Sequence, residues 1–466
     1  MSDGSYQVDI SPQLIADVLR DLESGSLQDV LDVVSGLHPA DAARVVGVVP
    51  RDSAARMVAA LPPDFAAGIL AELDESYSAE LLEDVSVDKL TRLLNHLDSD
   101  DAADVLGELD AAVIPRVLQA LEDREAITGL LKHGPETAGG IMATEFVAVP
   151  ESATVAEATE AVRRNAETVE EIFVVFVVDH AGRLTGFVSL KRLLLSPSNR
   201  RIGDMMQREV LSVTPEIDQE EVVRIIERYD LTSLAVVDRQ RRLIGRITID
   251  DAIDVIREEA EEDYQRLSGI TGDEGPTDSV FRITRGRLPW LFLGMIGAAF
   301  AGSVIGWFDD NIRQASVLAA FIPVVMAMAG NAGIQSSAII VKGLASGDVW
   351  SAHLMRRLGK EVAVAVLNGV ALGVALALAV LLIMGGGWWA GDQAVAEPER
   401  LAATAGLSLF VVVLLAAGIG AAIPLLLDRA DVDPALATGP FITTSNDIIS
   451  LVVFFTLATQ FYLPFV

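Results

Sequence analysis

The chain of 466 residues contains no cysteine. That excludes disulfides, thiolate metal centres and a cysteine nucleophile. Histidine is scarce, 5 in all, and scattered through unrelated segments. No nucleophile, base and orienting residue form a recognisable set, so the chain is not expected to be an enzyme. Basic residues are few as well, with 35 Lys and Arg against 66 Asp and Glu, giving a formal net charge of −31. That balance argues against nucleic acid as a partner, because phosphates need basic groups to neutralise them. The acid excess suits cations, or simply a well-solvated surface. Residues 1–10 show no basic region followed by an apolar stretch, so no cleaved signal peptide is expected.

Long apolar runs are missing from the first 280 residues and abundant afterwards, so the hydrophobic content of 51% averages two unlike halves. Runs of about 20 apolar residues are long enough to cross a bilayer. Five such segments are expected, at about 291–308, 315–341, 362–384, 401–427 and 434–462. Arg282, Arg285 and Arg287 precede the first segment. Lys342, Arg356, Arg357 and Lys360 lie between the second and third, and Arg429 between the fourth and fifth. The opposite loops carry Asp309, Asp310 and Arg313, then Trp388, Trp389, Asp392, Glu397, Glu399 and Arg400, with fewer basic residues. Basic loops stay inside. The expectation is a multi-pass protein of the cell membrane, in contact with lipid, with a cytoplasmic N-terminal half and an external C-terminus.

The N-terminal half holds two repeats. Leu37-His38-Pro39-Ala40-Asp41, Leu61-Pro62-Pro63-Asp64 and Leu97-Asp98-Ser99-Asp100-Asp101 share one design. A polar or proline opening is followed by alanines and aliphatics at helical spacing, which predicts short capped helices stacked into a superhelix. In that setting Asp41, Asp64 and Asp101 read as helix-capping acids or as ligands for a cation or partner. From residue 137 a second repeat appears, offset by about sixty positions. Phe176-Val177-Val178-Asp179 with Arg183-Leu184-Thr185-Gly186 matches Ala235-Val236-Val237-Asp238 with Arg242-Leu243-Ile244-Gly245. Strands between helices give an α/β reading.

This tandem resembles a pair of CBS domains. The resemblance implies a compact regulatory module, often one that binds an adenine nucleotide such as ATP through a Ser or Thr followed three residues later by Asp. The second copy has Thr248 and Asp251 in that arrangement. The first has Ser189 and Arg192, with arginine where the acid belongs, which leaves nucleotide binding open.

Two features suggest cation chemistry. Asp250, Asp251, Asp254, Glu258, Glu259, Glu261, Glu262 and Asp263 lie on one helical stretch, and Asp218, Glu220 and Glu221 open another. Crowded carboxylates repel unless cations intervene; a solvated helical face is the other reading. In the membrane half, two spans carry polar interruptions, Gly330-Asn331-Ala332-Gly333-Ile334-Gln335 and Gly439-Pro440-Phe441-Ile442-Thr443-Thr444-Ser445-Asn446-Asp447. Asn331 and Gln335 fit a cavity lining or hydrogen bonding between helices. Thr443 and Thr444 fit a path or their own helix backbone, and Ala435, Ala437 and Gly439 would permit close packing. Asp447 has no basic residue in the nearby spans to pair with, which favours a carboxylate facing a cation. A symmetric dimer would set two copies of Asp447 across one axis, and oxygen-only ligands suit hard ions such as Mg²⁺ or Ca²⁺.

The whole chain resembles the MgtE family of magnesium channels. Leu37-His38-Pro39-Ala40-Asp41, Glu136-Thr137-Ala138-Gly139-Gly140-Ile141-Met142, Gly330-Asn331-Ala332-Gly333 and Pro434-Ala435-Leu436-Ala437-Thr438-Gly439-Pro440 leading to Asp447 carry the resemblance. It implies an all-α superhelical N domain over residues 1–134, CBS domains over 135–200 and 201–260, a connecting plug helix over 261–286 and a five-helix all-α pore domain over 287–466. It also implies a homodimer that imports Mg²⁺ and is gated by intracellular Mg²⁺. Asp447 would select the ion, with Asn331, Thr443, Thr444 and Asn446 lining the pore. By similarity the sensor acids would be Asp101, Asp218, Glu220, Asp230, Asp251, Asp254, Glu259, Glu262 and Asp263. Gly269, Gly272 and Gly275 depart from a continuous stiff connector. A gradient-coupled divalent cation transporter and a membrane-anchored CBS sensor without conduction are the alternatives.

Overall fold

The computed structural model describes residues 12–24, 26–73, 75–82, 85–166, 168–169, 171–267, 270, 280–345, 354–385, 396–430, 432–434 and 439–466. The chain forms two compact units, Met1–Glu259 and Ala260–Val466.

The first unit begins with the short helices α1 (Pro12–Ser24), α2 (Leu27–Val34), α3 (Pro39–Val46), α4 (Arg51–Ala60), α5 (Pro63–Ala71), α6 (Glu75–Leu82), α7 (Val87–Leu94), α8 (Ser99–Gly107), α9 (Ile114–Leu118) and α10 (Arg124–Leu130). Asp41, Asp64 and Asp101 each fall in the first turn of their helix, where a negative charge complements the helix dipole. The capping bonds differ from the expected pattern. His38 Nδ1 accepts from the backbone N–H of Ala40 at 3.3 Å, whereas Pro62 and Asp98 make no side-chain capping bond.

The CBS tandem follows with β1 (Ala148–Pro150), α11 (Val155–Arg164), β2 (Val174–Val178), β3 (Leu184–Ser189) and α12 (Leu190–Leu194). Its second copy has β4 (Ser212–Val213), α13 (Gln219–Tyr229), β5 (Ser233–Val237), β6 (Leu243–Thr248) and α14 (Ile249–Leu267). Each copy forms a three-stranded sheet whose first pair is parallel and second antiparallel. Both sheets carry an irregularity at the same place, Val177/Val178 and Val236/Val237. Both turn alike: Asp179 Oδ1 accepts from the backbone of Ala181 and Arg183, and Asp238 Oδ1 from Gln240 and Arg242, all at 2.8–2.9 Å. The lead-in segments are exchanged. Ala143 pairs with Arg246 of the second copy, while Gln207 pairs with Phe187 of the first. Phe176, Leu184, Ala235 and Val237 form an apolar cluster between the copies.

The helical domain and the second CBS copy share one apolar core. Ala102 and Leu106 of α8 belong to the same cluster as Met142, Val222, Ala252 and Val255. The first copy keeps its own core around Val149, Val175, Val188 and Leu193. Helical array and tandem are thus one packed body, held in part by burial of apolar side chains.

In the second unit, α15 (Val280–Trp307), α17 (Ile322–Ala345), α18 (Leu354–Gly385), α19 (Pro398–Asp428) and α20 (Pro440–Phe461) are joined by short pieces including α16 (Asp309–Gln314). Among the described residues, five stretches are long and apolar enough to cross a membrane. Their packing uses small residues for close approach. A Cβ on Gly373 would lie 2.6 Å from the carbonyl oxygen of Gly406, and the converse holds, so α18 and α19 meet backbone to backbone. In an apolar cluster of this unit Phe308 stacks on Phe455 at 4.9 Å.

Two boundaries differ from expectation. The acidic helix α14 starts at Ile249 and runs unbroken to Leu267, because no breaker separates the CBS copy from the connector. The first span is the distal part of a helix that already begins at Val280 and continues through Pro289. Gly269, Gly272 and Gly275 lie outside the described residues, as do Ala435 and Ala437.

Candidate ion pathway and acidic junction

In the second unit, α20 carries the polar motif and three glycines make room for it. Gly297 of α15 faces Thr444, where a Cβ would fall 2.5 Å from Oγ1. Gly330 of α17 faces Thr443 at 3.6 Å. Gly333 faces Ile442, at 2.8 Å from a built Cβ, and the amide of Asn446. Gly333 is itself backed by Gly420 of α19, whose Cβ would lie 2.9 Å from the Gly333 Cα. A side chain at Gly297 or Gly333 would drive α20 away from its neighbours, whereas Gly330 leaves room for ordinary contact.

Thr443 donates its hydroxyl to the carbonyl of Gly439 at 3.2 Å, satisfying its own helix. Asn446 is 1% exposed and donates Nδ2 to the carbonyl of Ala329 at 3.4 Å. Its Oδ1 has no partner among the described residues. Asn446 is therefore packed inside the chain. Asp447 is half-buried with no basic side chain beside it among the described residues. Asn331 and Gln335 are exposed polar groups on a helix long and apolar enough to cross a membrane. Sequence reasoning missed Glu361, buried on α18 with Ser336 donating to it at 3.4 Å. Its place beside Lys360 and one turn after Arg357, just ahead of the apolar run from Val362, was the available signal.

In the first unit, the structure brings Asp100, Asp101 and Asp251 together. Asp100 is buried, and its Oδ1 has no hydrogen-bond partner among the described residues. Desolvation pushes its carboxyl well above the usual carboxylate range, and the charges of Asp101, Asp251, Asp98 and Asp104 push it the same way. Asp251 Oδ2 accepts from the Thr248 backbone N–H at 2.8 Å and from the Thr248 hydroxyl at 2.5 Å. Burial pushes the Asp251 carboxyl up; the Thr248 bonds and Arg246 oppose this, while Asp250 adds to it. Asp100 was missed as a site residue because the sequence offered two adjacent acids. Its spacing of three from Ala103, on the buried stripe, was the signal.

The other expected sensor acids are dispersed. Asp218 caps α13, accepting from the backbone of Glu220 at 2.9 Å, and Asp230 closes the same helix in a left-handed conformation with φ 49°. A helix of this length separates them by roughly 18 Å, too far to share an ion. Glu220 pairs with Arg224 at 2.7 Å. Glu259 accepts from Gln219 Nε2 at 2.6 Å, and Asp254 is exposed. In the second unit Glu262 shares Arg266 with Asp433, and Asp263 is half-buried. Among the described residues no three His, Asp or Glu side chains converge to hold an ion on their own.

Residues 322–457 match the family model described as a divalent cation transporter, 37–136 the MgtE intracellular N domain, and 138–198 with 202–258 the CBS domain. The magnesium transporter MgtE of Bacillus subtilis is 33% identical over 339 residues, covering 73% of this chain and 72% of that protein. The chain belongs to the MgtE family. The magnesium transporter MgtE of Enterococcus faecalis is 35% identical over 349 residues, covering 74% of this chain and 73% of its own. Among solved structures, the cytosolic domain of the Mg²⁺ channel MgtE in complex with ATP is 33% identical, with a TM-score of 0.49, over 52% of this chain and 100% of that one. The soluble part of a magnesium transporter is 30% identical with a TM-score of 0.43, over 53% and 98%. The MgtE membership agrees with the tandem repeat and the five apolar helices.

Proposed function

We propose that this MgtE-family chain is a homodimeric Mg²⁺ channel of the cell membrane, importing Mg²⁺ and closing when intracellular Mg²⁺ is plentiful. The observation that carries the reading is Asp447, a half-buried carboxylate on a membrane helix without a basic neighbour among the described residues. Such a group persists where water or a cation meets it. Five spans are few for a pathway, and a two-fold axis would pair the Asp447 carboxylates and double the spans. The exposed Asn331 and Gln335 on α17 favour a polar path or a second protomer against that helix. A carboxylate pair attracts divalent cations. Mg²⁺ dehydrates reluctantly, so the ion would pass with much of its water, touching Thr443, Thr444 and Asn331 through that shell. Asn446 would hold α20 against α17. The relatives named magnesium transporters support Mg²⁺ as cargo.

For gating, Mg²⁺ would neutralise the acids around Asp100 and Asp251 and so favour the docked helical domain. Loss of Mg²⁺ would restore repulsion and loosen it, a ligand biasing a two-state element. Asp218, Glu220, Asp230, Asp254, Glu259, Glu262 and Asp263 would contribute separate points of neutralisation. The positive-inside pattern puts these acids in the cytoplasm and the C-terminus outside. Adenine nucleotide has a place in this reading only at Thr248 and Asp251; in the first copy Ser189 caps its helix on the backbone N–H of Arg192 and offers no acid.

The test is Mg²⁺ flux into liposomes holding the full chain, wild type beside Asp447→Ala, under an imposed potential. The channel reading expects wild-type flux that Asp447→Ala abolishes. Flux that needs a proton or sodium gradient would instead mark a coupled transporter. No wild-type flux without internal Mg²⁺ would leave a sensor.

A further inference from the structure

Next to the buried acid Asp100 lies a polar cluster that the gating reading does not use. Ser99 opens α8 and is 3% exposed. Its hydroxyl donates to Glu145 Oε2 at 2.8 Å, and accepts from the backbone N–H of Thr144 at 2.8 Å and from Thr144 Oγ1 at 2.9 Å. One donor and two acceptor sites are all that a hydroxyl has, so Ser99 Oγ is saturated. The backbone N–H of Ser99 adds a longer bond to Glu145 Oε2 at 3.4 Å. Ser99 belongs to the helical domain, whereas Thr144 and Glu145 lie in the lead-in of the first CBS copy. Ala143, the preceding residue, pairs with Arg246 in the second copy. The cluster therefore ties the first turn of α8 to the strand system that ends at Thr248 and leads into Asp251 of α14.

We propose that Ser99, Thr144 and Glu145 are positioning residues: a polar clamp that sets the Mg²⁺ concentration at which the helical domain docks. The inference rests on the gating reading given above. Docking has two contributions. Apolar burial and the clamp act without Mg²⁺, while the acids oppose docking until a cation neutralises them. The sum fixes how much Mg²⁺ closes the channel. The clamp's hydrogen bonds to a carboxylate are of the stronger, charge-assisted kind. They also fix the helical phase of α8, which keeps Asp100 inside rather than turned to solvent. Loss of the Ser99 hydroxyl leaves every sensor acid in place and takes away part of the Mg²⁺-independent support. It leaves the Thr144 N–H without its acceptor and Glu145 with only longer bonds.

The experiment is Mg²⁺ flux in liposomes as a function of Mg²⁺ on the cytoplasmic face, for the full chain. Ser99→Ala weakens docking by about tenfold or more. If one or two cations are taken up on docking, the half-inhibiting Mg²⁺ rises about three- to tenfold. Flux without cytoplasmic Mg²⁺ stays at the wild-type level, and saturating Mg²⁺ still closes the channel. Ser99→Thr, which keeps the hydroxyl, returns the midpoint towards wild type, and Glu145→Gln gives a smaller shift in the same direction. A Ser99→Ala midpoint within twofold of wild type overturns the clamp. So does loss of inhibition at every Mg²⁺ concentration, which would mean a helical domain that no longer folds. A wild-type channel indifferent to Mg²⁺ defeats the gating reading itself.

Discussion

Replacing Asp100 by Asn tests the acidic junction with little change in shape. Asp100 is buried, one carboxylate oxygen has no donor among the described residues, and Asp98, Asp101, Asp104 and Asp251 all act against its charge. A buried polar group without a partner costs about 1–3 kcal/mol, and a charged one more. An amide of the same size removes that charge, and its N–H₂ can donate to the carboxylate of Asp101 or Asp251. The docked state without Mg²⁺ should gain at least about 1–3 kcal/mol, which is about 5- to 150-fold in the docking equilibrium. Asp100→Asn should therefore close at lower Mg²⁺ than wild type, the opposite sign from the clamp variant. The readouts are the half-inhibiting Mg²⁺ for flux and the rate of cross-linking between a cysteine placed on α8 and one on α14. Because the chain has no native cysteine, such a pair would be the only thiols present. A higher half-inhibiting Mg²⁺, or slower cross-linking without Mg²⁺, would refute the claim that Asp100 opposes docking.

The remaining predictions concern pH and packing. Asp100 and Asp251 both have carboxyls raised in the folded state, so the docked form binds more protons than the undocked one and its stability falls as pH rises. The loss begins above the ordinary aspartate value of about 3.9 and is complete once pH passes the raised values. Without Mg²⁺, the junction should resist limited proteolysis better at mildly acidic than at alkaline pH, and the protection added by Mg²⁺ should grow with pH. Gly333→Ala should cost about 1–3 kcal/mol by overpacking against Ile442 and Asn446, lowering both the thermal midpoint in detergent and the flux. Gly406→Val should destabilise the α18–α19 contact by a similar amount or more, because the obstacle is the rigid backbone of Gly373, and detergent-solubilised protein should melt earlier.

Much of this architecture was legible from period and length. The apolar runs located the five membrane helices, and the sixty-residue echo from Val177 to Val236 located two sheets with matching turns. Both signals are local. The facing of side chains across elements was not legible. Adjacent Asp100 and Asp101 are alike in composition; the spacing of Asp100 from Ala103 hints at which goes inside, and the packing of α8 against the second CBS copy decides it. Asn446 sits beside Asp447 in a polar motif, yet a turn of about 100° puts it against Gly333 and Ala329. The acids of α13 look like one group in sequence order, but the helix places Asp218 and Asp230 at opposite ends. The continuous course of α14, by contrast, was legible, because the acids from Asp250 to Asp263 read as one helical stretch.

The exchange of lead-in segments bears on how this part of the chain could be divided or inherited. Ala143 completes the sheet edge of the second copy at Arg246, and Gln207 does the same for the first at Phe187. Although the sequence shows two repeats, neither is a self-sufficient building block. Cutting between residues 200 and 201 would strip each half of the strand edge it borrows and expose the apolar surface around Phe176 and Ala235. A single repeat made alone would be driven to find a second copy of itself, re-creating in two chains the partnership that this protein holds in one. Tandem duplication here fixes a dimer permanently within one polypeptide. It also frees each half to vary, as Arg192 in one copy and Asp251 in the other illustrate.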